Sequence, residues 1–136
     1  MIPFRVKGLD HVVLRVADLP RALAFYQDVI GCAVEREQAS IGLTQLRIGA
    51  SLIDLIPLDG KLGRMGGAGP GREGRNLDHF AIQVTPFDEP AIRAHLARHG
   101  VAVTDSGQRY GAEGEGPSIY VSDPDGNTVE LKGPPV

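Results

Sequence analysis

The chain has 136 residues, 42% hydrophobic and 23% charged, with a net charge of −3, which suits one globular domain over residues 1–136 and excludes the disordered classes. The mild acidity, with no Lys/Arg run interleaved with aromatics, speaks against a nucleic-acid partner. No stretch approaches the roughly 20 apolar residues of a membrane span or resembles a signal peptide, so no membrane partner is expected and the cytoplasm is the expected compartment. Cys32 is the only cysteine, which excludes an internal disulfide and a thiolate-rich zinc site and suggests a small buried side chain just after a helix.

The alternation after Leu9-Asp10-His11 predicts a first strand with Val12, Leu14 and Val16 on one face and His11, Val13 and Arg15 on the other. Asp18 then caps a helix that tolerates Pro20 in its first turn, carries the stripe Ala22, Leu23, Tyr26 and Ile30, and stops at Gly31. Strands are expected near Ala33 to Gln38 and over Leu43 to Ile48 and Leu52 to Pro57. If Gly49-Ala50 is a two-residue turn, Ile48 pairs with Ser51 and Gln45 falls opposite Asp54. Asp54 interrupts the apolar run Leu52 to Ile56, where an unpartnered buried carboxylate is costly.

Residues 59–76 hold seven glycines and no periodicity, which reads as a flexible connection. Gly69, Gly71 and Gly74 satisfy G-x-G-x-x-G, but the strand follows that run instead of preceding it, so a dinucleotide site is rejected. Lys61, Arg64, Arg72 and Arg75 read as solvated linker charge.

Leu77-Asp78-His79 then repeats the opening triplet 68 positions on, and the same plan follows. One face of the new strand carries Phe80, Ile82 and Val84, the other His79, Ala81 and Gln83. Asp88 and Pro90 open a helix with Ile92 and Leu96 on its stripe and a stop at Gly100, whose last turns place His95 and His99 as solvated cations. Strands are expected at Val101 to Thr104, Ser118 to Ser122 and Thr128 to Lys132, with Gly111 to Pro117, including Glu113 and Glu115, a loop able to fold over a cavity. The fold class is α+β: two βαβββ modules, about residues 7–58 and 77–133, forming a curved, partly barrel-like sheet with helices outside.

Pairing Ser122 with Thr128 sets Tyr120 opposite Glu130, which makes Glu130 the repeat equivalent of Asp54. Two imidazoles and two carboxylates thus occupy symmetric positions on the concave faces, a set that suits one divalent metal with open coordination sites, whether iron(II), manganese, nickel, zinc or cobalt. The expected metal ligands are His11, His79, Glu130 and Asp54. Three roles are open to Asp54: ligand, partner of a metal-bound water, or base. Glu130, Asp54 and Tyr120 are the candidate catalytic groups; Arg15, Gln45 and Gln83 are the candidate contacts to a small-molecule substrate. Asp10 and Asp78 precede the histidines and are expected to face away as capping or surface groups.

Leu9-Asp10-His11 with Phe25-Tyr26 and Gly31, Leu77-Asp78-His79, and the run Ile119 to Glu130 around Asp123-Pro124-Asp125-Gly126-Asn127 resemble the vicinal oxygen chelate superfamily of glyoxalase I, bleomycin- and fosfomycin-resistance proteins and extradiol dioxygenases. The resemblance covers residues 7–133 and implies that His11, His79 and Glu130 are metal ligands, with Asp54 where glyoxalase I has a glutamate. It also implies a homodimer, in some members with ligands from both chains at each metal. The ring-cleaving members carry a histidine six to eight residues before the position of Ile119, where this chain has Gly111, Ala112 and Glu113. Fosfomycin-resistance members continue into a basic tail that this chain lacks, and bleomycin-sequestering members commonly lack ligand residues that it keeps. A glyoxalase-like lyase or isomerase is therefore the expected activity, ahead of a dioxygenase or a ligand-sequestering protein.

Overall fold

A computed structural model describes residues 1–136. In the first half, β1 (His11–Val16) leads into α1 (Leu19–Ala24), which widens into a π-helical turn over Phe25–Ile30 before β2 (Ala33–Gln38), β3 (Leu43–Ile48) and β4 (Ser51–Pro57). In the second, β5 (His79–Gln83), α3 (Glu89–Arg98), β6 (Asp105–Gly111), β7 (Gly114–Ser122) and β8 (Thr128–Lys132) repeat the order, with the short α2 (Lys61–Arg64) between. Each half makes one four-stranded mixed sheet, β1-β4-β3-β2 and β5-β8-β7-β6, with the first strand parallel to the last. This is the expected α+β arrangement of two βαβββ units on curved sheets. No helix is long and apolar enough to cross a membrane.

The local chemistry repeats with the topology. Asp18 accepts from the Arg21 amide at 3.1 Å and Asp88 from the Ala91 amide at 3.0 Å, so each helix opens on an aspartate cap. Each stops at a left-handed glycine, Gly31 at φ 91° and Gly100 at φ 68°. The helix-side faces share one core that includes Leu14, Val16, Tyr26, Ile53, Leu96, Ile119 and Val129. Few polar contacts join the halves, and most converge on the turn after β7: the Tyr26 hydroxyl donates to Asp123 at 2.6 Å, the Ala17 amide to Asp125 at 2.8 Å, and the Asn76 side chain to Asn127 at 3.1 Å. His95 adds a contact to the Val29 carbonyl at 2.8 Å, so it is a partly buried tie between helices and not the solvated cation expected of it.

Three expectations are corrected. Val101 to Thr104 is not a ladder strand, and Gly111 to Pro117 is not a loop: β6 runs Asp105–Gly111 and pairs with Gly114–Ser122 across a turn at Ala112-Glu113. The signal was hidden because this hairpin uses glycine where strands usually carry apolar side chains. A Cβ on Gly116 would lie 2.5 Å from the Pro134 carbonyl oxygen, and one on Gly111 would lie 3.0 Å from the Lys132 side chain. The connection over residues 59–76 is likewise built. Gly63 is buried with no room for a Cβ, which would sit 1.8 Å from the Pro57 carbonyl oxygen. Further along, the Gly67 carbonyl accepts from the Arg15 guanidinium at 3.2 Å.

Candidate metal centre

Strand register puts the chemistry on the faces turned away from the helices. Val13 pairs with Asp54 and Asp54 with Gln45; Ala81 pairs with Glu130 and Glu130 with Tyr120. Paired residues share a face, so His11, Asp54 and Gln45 stand together on one sheet, and His79, Glu130 and Tyr120 on the other. The ladder expected from the Gly49-Ala50 and Asp123 to Asn127 turns is the observed one.

Each sheet thus presents a half-exposed imidazole over a buried carboxylate. His11 Nε2 is 3.9 Å from Asp54 Oδ2, their side chains 45% and 7% exposed; His79 Nε2 is 3.4 Å from Glu130 Oε1, at 41% and 8%. A second donor fixes each carboxylate from behind: the Gln45 amide donates to Asp54 Oδ1 at 3.1 Å, and the Ser118 hydroxyl to Glu130 Oε2 at 2.6 Å. In both units one carboxylate oxygen is held and the other faces the imidazole.

The residues before the histidines are surface groups, as expected, but they do not face away from the rings. Asp10 Oδ1 lies 2.7 Å from His11 Nδ1, and Asp78 Oδ2 lies 2.6 Å from His79 Nδ1. Both carboxylates curl back onto the ring, which strand alternation alone does not forecast because Asp10 and Asp78 lie just outside β1 and β5. The bond fixes Nδ1 as the protonated nitrogen and leaves the Nε2 lone pair for a metal. The Asp10 hydrogen bond, then the Asp54 charge, raises the His11 pKa; the His79 hydrogen bond lowers that of Asp78. Burial, followed by Glu130, raises the Tyr120 phenol, and the Arg109 guanidinium opposes this from 5.5 Å above the ring. Arg109 was not among the expected site residues.

Within one chain the two units stay apart, and no three His, Cys, Asp or Glu side chains are grouped closely enough to hold a metal. The four expected ligands are therefore brought together as two pairs and not as one cage. Of the expected substrate contacts, Gln45 holds Asp54, Arg15 is held by the linker, and Gln83 lies exposed beside the second pair. A groove of about 770 Å³ separates the second sheet, at His79, Gln83 and Glu130, from Cys32 and the β3–β4 hairpin tip.

Comparison with known proteins agrees with the fold. The family described as Glyoxalase/Bleomycin resistance protein/Dioxygenase superfamily matches residues 8–131. Virulence protein STM3117 of Salmonella typhimurium is 32% identical over 132 residues, 93% of this chain and 83% of that protein. Its crystal structure superposes with a TM-score of 0.78 over 97% of this chain and 100% of that one. Catechol-2,3-dioxygenase of Bacillus subtilis is 30% identical over 90% of this chain, which spans 40% of that longer protein. The fosfomycin resistance protein FosX of Listeria monocytogenes, in a structure complexed with Mn(II) and 1S,2S-dihydroxypropylphosphonic acid, has the same fold at 23% identity and a TM-score of 0.70, over 97% of this chain and 94% of that one. The chain belongs to the Glyoxalase/Bleomycin resistance protein/Dioxygenase superfamily.

Proposed function

We propose that this protein is a divalent-metal-dependent lyase or isomerase of the glyoxalase kind that acts on a small molecule presenting two vicinal oxygens. The observation that carries this reading is the pair of equivalent units in which an imidazole, fixed through Nδ1, turns Nε2 toward a buried carboxylate. The donor set fits iron(II), manganese, nickel, zinc or cobalt, because neutral imidazole nitrogen and carboxylate oxygen suit all of these ions.

Since neither unit has a third ligand in its own chain, the reading requires a homodimer. His11 and Asp54 of one protomer meet His79 and Glu130 of the partner subunit. Bound there, a divalent ion would supply Lewis-acid stabilisation of negative charge on a substrate oxygen. The side chains do the rest. His11, His79 and Glu130 would hold the ion. Asp54, kept ready by Gln45, carries a proton to or from carbon, and Tyr120 stands beside Glu130 with its hydroxyl held in the neutral, donating form. A second carboxylate distinguishes this set from a two-His, one-carboxylate oxygen-activating site, and the Ala112-Glu113 turn brings no further imidazole.

The test is solvent exchange. Manganese- or nickel-loaded protein in D2O, incubated with a panel of α-hydroxyketones and hemithioacetals, is expected to put deuterium on the carbon beside the carbonyl, and Glu130→Gln to abolish it. The similarity to catechol-2,3-dioxygenase supports a ring-cleaving reading. Oxygen uptake by iron(II)-loaded protein with catechols, in the absence of deuterium exchange, would establish that reading instead.

A further inference from the structure

One buried cation in the groove has no counter-ion. Lys132 is 6% exposed, its Nζ donates to the Gly133 carbonyl at 3.2 Å, and no carboxylate forms an ion pair with it. It sits two residues beyond Glu130 on β8, paired in register with Gln83, so its side chain leaves the same sheet face one step further along, about 7 Å from that of Glu130. Gly111, on β6, leaves the space that the lysine stem fills. Across the groove, Arg47 at the β3–β4 hairpin is already engaged by Glu35 at 2.7 and 3.0 Å. A buried ammonium that makes a single hydrogen bond keeps two donor positions for a ligand, and a burial cost that an anion would offset.

The first module has nothing comparable. The position equivalent to Lys132 is Ile56, and the cation in that layer, Arg15, is tied to the linker carbonyl of Gly67. The asymmetry makes Lys132 a feature of one wall of the groove and not a by-product of the repeat. We infer that Lys132 is an oxyanion-binding residue for the substrate, so that the molecule taken into the groove carries a carboxylate or phosphoryl group beside its metal-chelating oxygens. This rests on the metal reading above for the chelating oxygens, whereas the anion contact itself needs only the apo groove.

The test is calorimetric titration of the metal-free protein with inorganic phosphate and, separately, with acetate. The wild type should bind at least one of them, the tighter of the two naming the phosphoryl or carboxylate class. Lys132→Met should weaken that binding about tenfold or more, and Lys132→Arg should keep most of it. Manganese affinity, measured in parallel, should be no weaker in Lys132→Met. A wild type that gives no binding heat with either anion overturns the inference whether or not the variants fold, as does a Lys132→Met protein that binds as the wild type does. Anion binding lost in Lys132→Met upholds the subsite even if manganese fails to bind, an outcome that contradicts only the metal reading.

Discussion

The Tyr26 hydroxyl donates to Asp123 Oδ2 at 2.6 Å, joining the first helix to the last turn across 97 residues. Asp123 also accepts from the amides of Asp125 and Asn127 and from the Asn127 side chain, at 2.8 to 2.9 Å. The run Asp123 to Asn127 is therefore a clasp between the modules that also sets the start of β8, two residues before Glu130. Tyr26→Phe should cost about 2 kcal/mol, since it removes one hydrogen bond to a buried charged acceptor and leaves the others. Urea unfolding measures this, and an unchanged midpoint would show that the tie carries no stability.

Asp10 and Asp78 each hold an imidazole, and Asp78 also pairs with the exposed Arg75 at 3.5 Å. Their side chains are 89% and 80% exposed, so Asp10→Asn and Asp78→Asn should leave unfolding unchanged. Metal affinity should fall about tenfold or more, because the Nδ1 partner sets both ring orientation and basicity. Fluorescence or calorimetric titration with nickel reads the loss; wild-type affinity in both variants would count against the orienting role.

How the connection over residues 59–76 is built can be tested at Gly63. An added methyl collides with the Pro57 carbonyl, so Gly63→Ala should destabilise the protein by about 1–3 kcal/mol, whereas Gly71→Ala, where a Cβ meets nothing within 4 Å, should be near neutral. Equal behaviour of the two variants in thermal unfolding would return this segment to an unstructured linker.

Burial pushes the Cys32 thiol up to about 11. Between pH 9 and 11 the folded protein then holds a proton that the unfolded chain has lost, so stability falls as pH rises through that window. Alkylation by iodoacetamide should be slow at pH 8 and climb toward pH 11 in the native protein. A rate profile centred near pH 8.5 would mean an exposed, ordinary thiol.

Sequence periodicity carried the strands that face a core, and with them the ladder that sets Asp54 against Gln45 and Glu130 against Tyr120. It failed where side chains are missing: the β6–β7 hairpin is built on Gly107, Gly111, Gly114 and Gly116, which have no side chains to alternate. Alternation also hid Asp10 and Asp78, because it describes a strand and these residues precede one. Lys132 could be placed on the right face from sequence, but a lysine ending a strand reads as solvated until its burial is seen. The separation of the two His–carboxylate units within one chain had no sequence signature, since repeat symmetry specifies equivalent positions and not their distance apart.

If each metal is held by two chains, mixing subunits that carry different lesions reveals it. His11→Ala and Glu130→Ala each remove a ligand from both sites of their own homodimers, so neither should retain tight metal. In the mixed dimer, one shared site contains both lesions and the other neither. Unfolding and refolding the two variants together should then restore one tightly bound nickel or manganese per heterodimer, measured by elemental analysis after gel filtration. Heterodimers that hold no more metal than the two parents would contradict it.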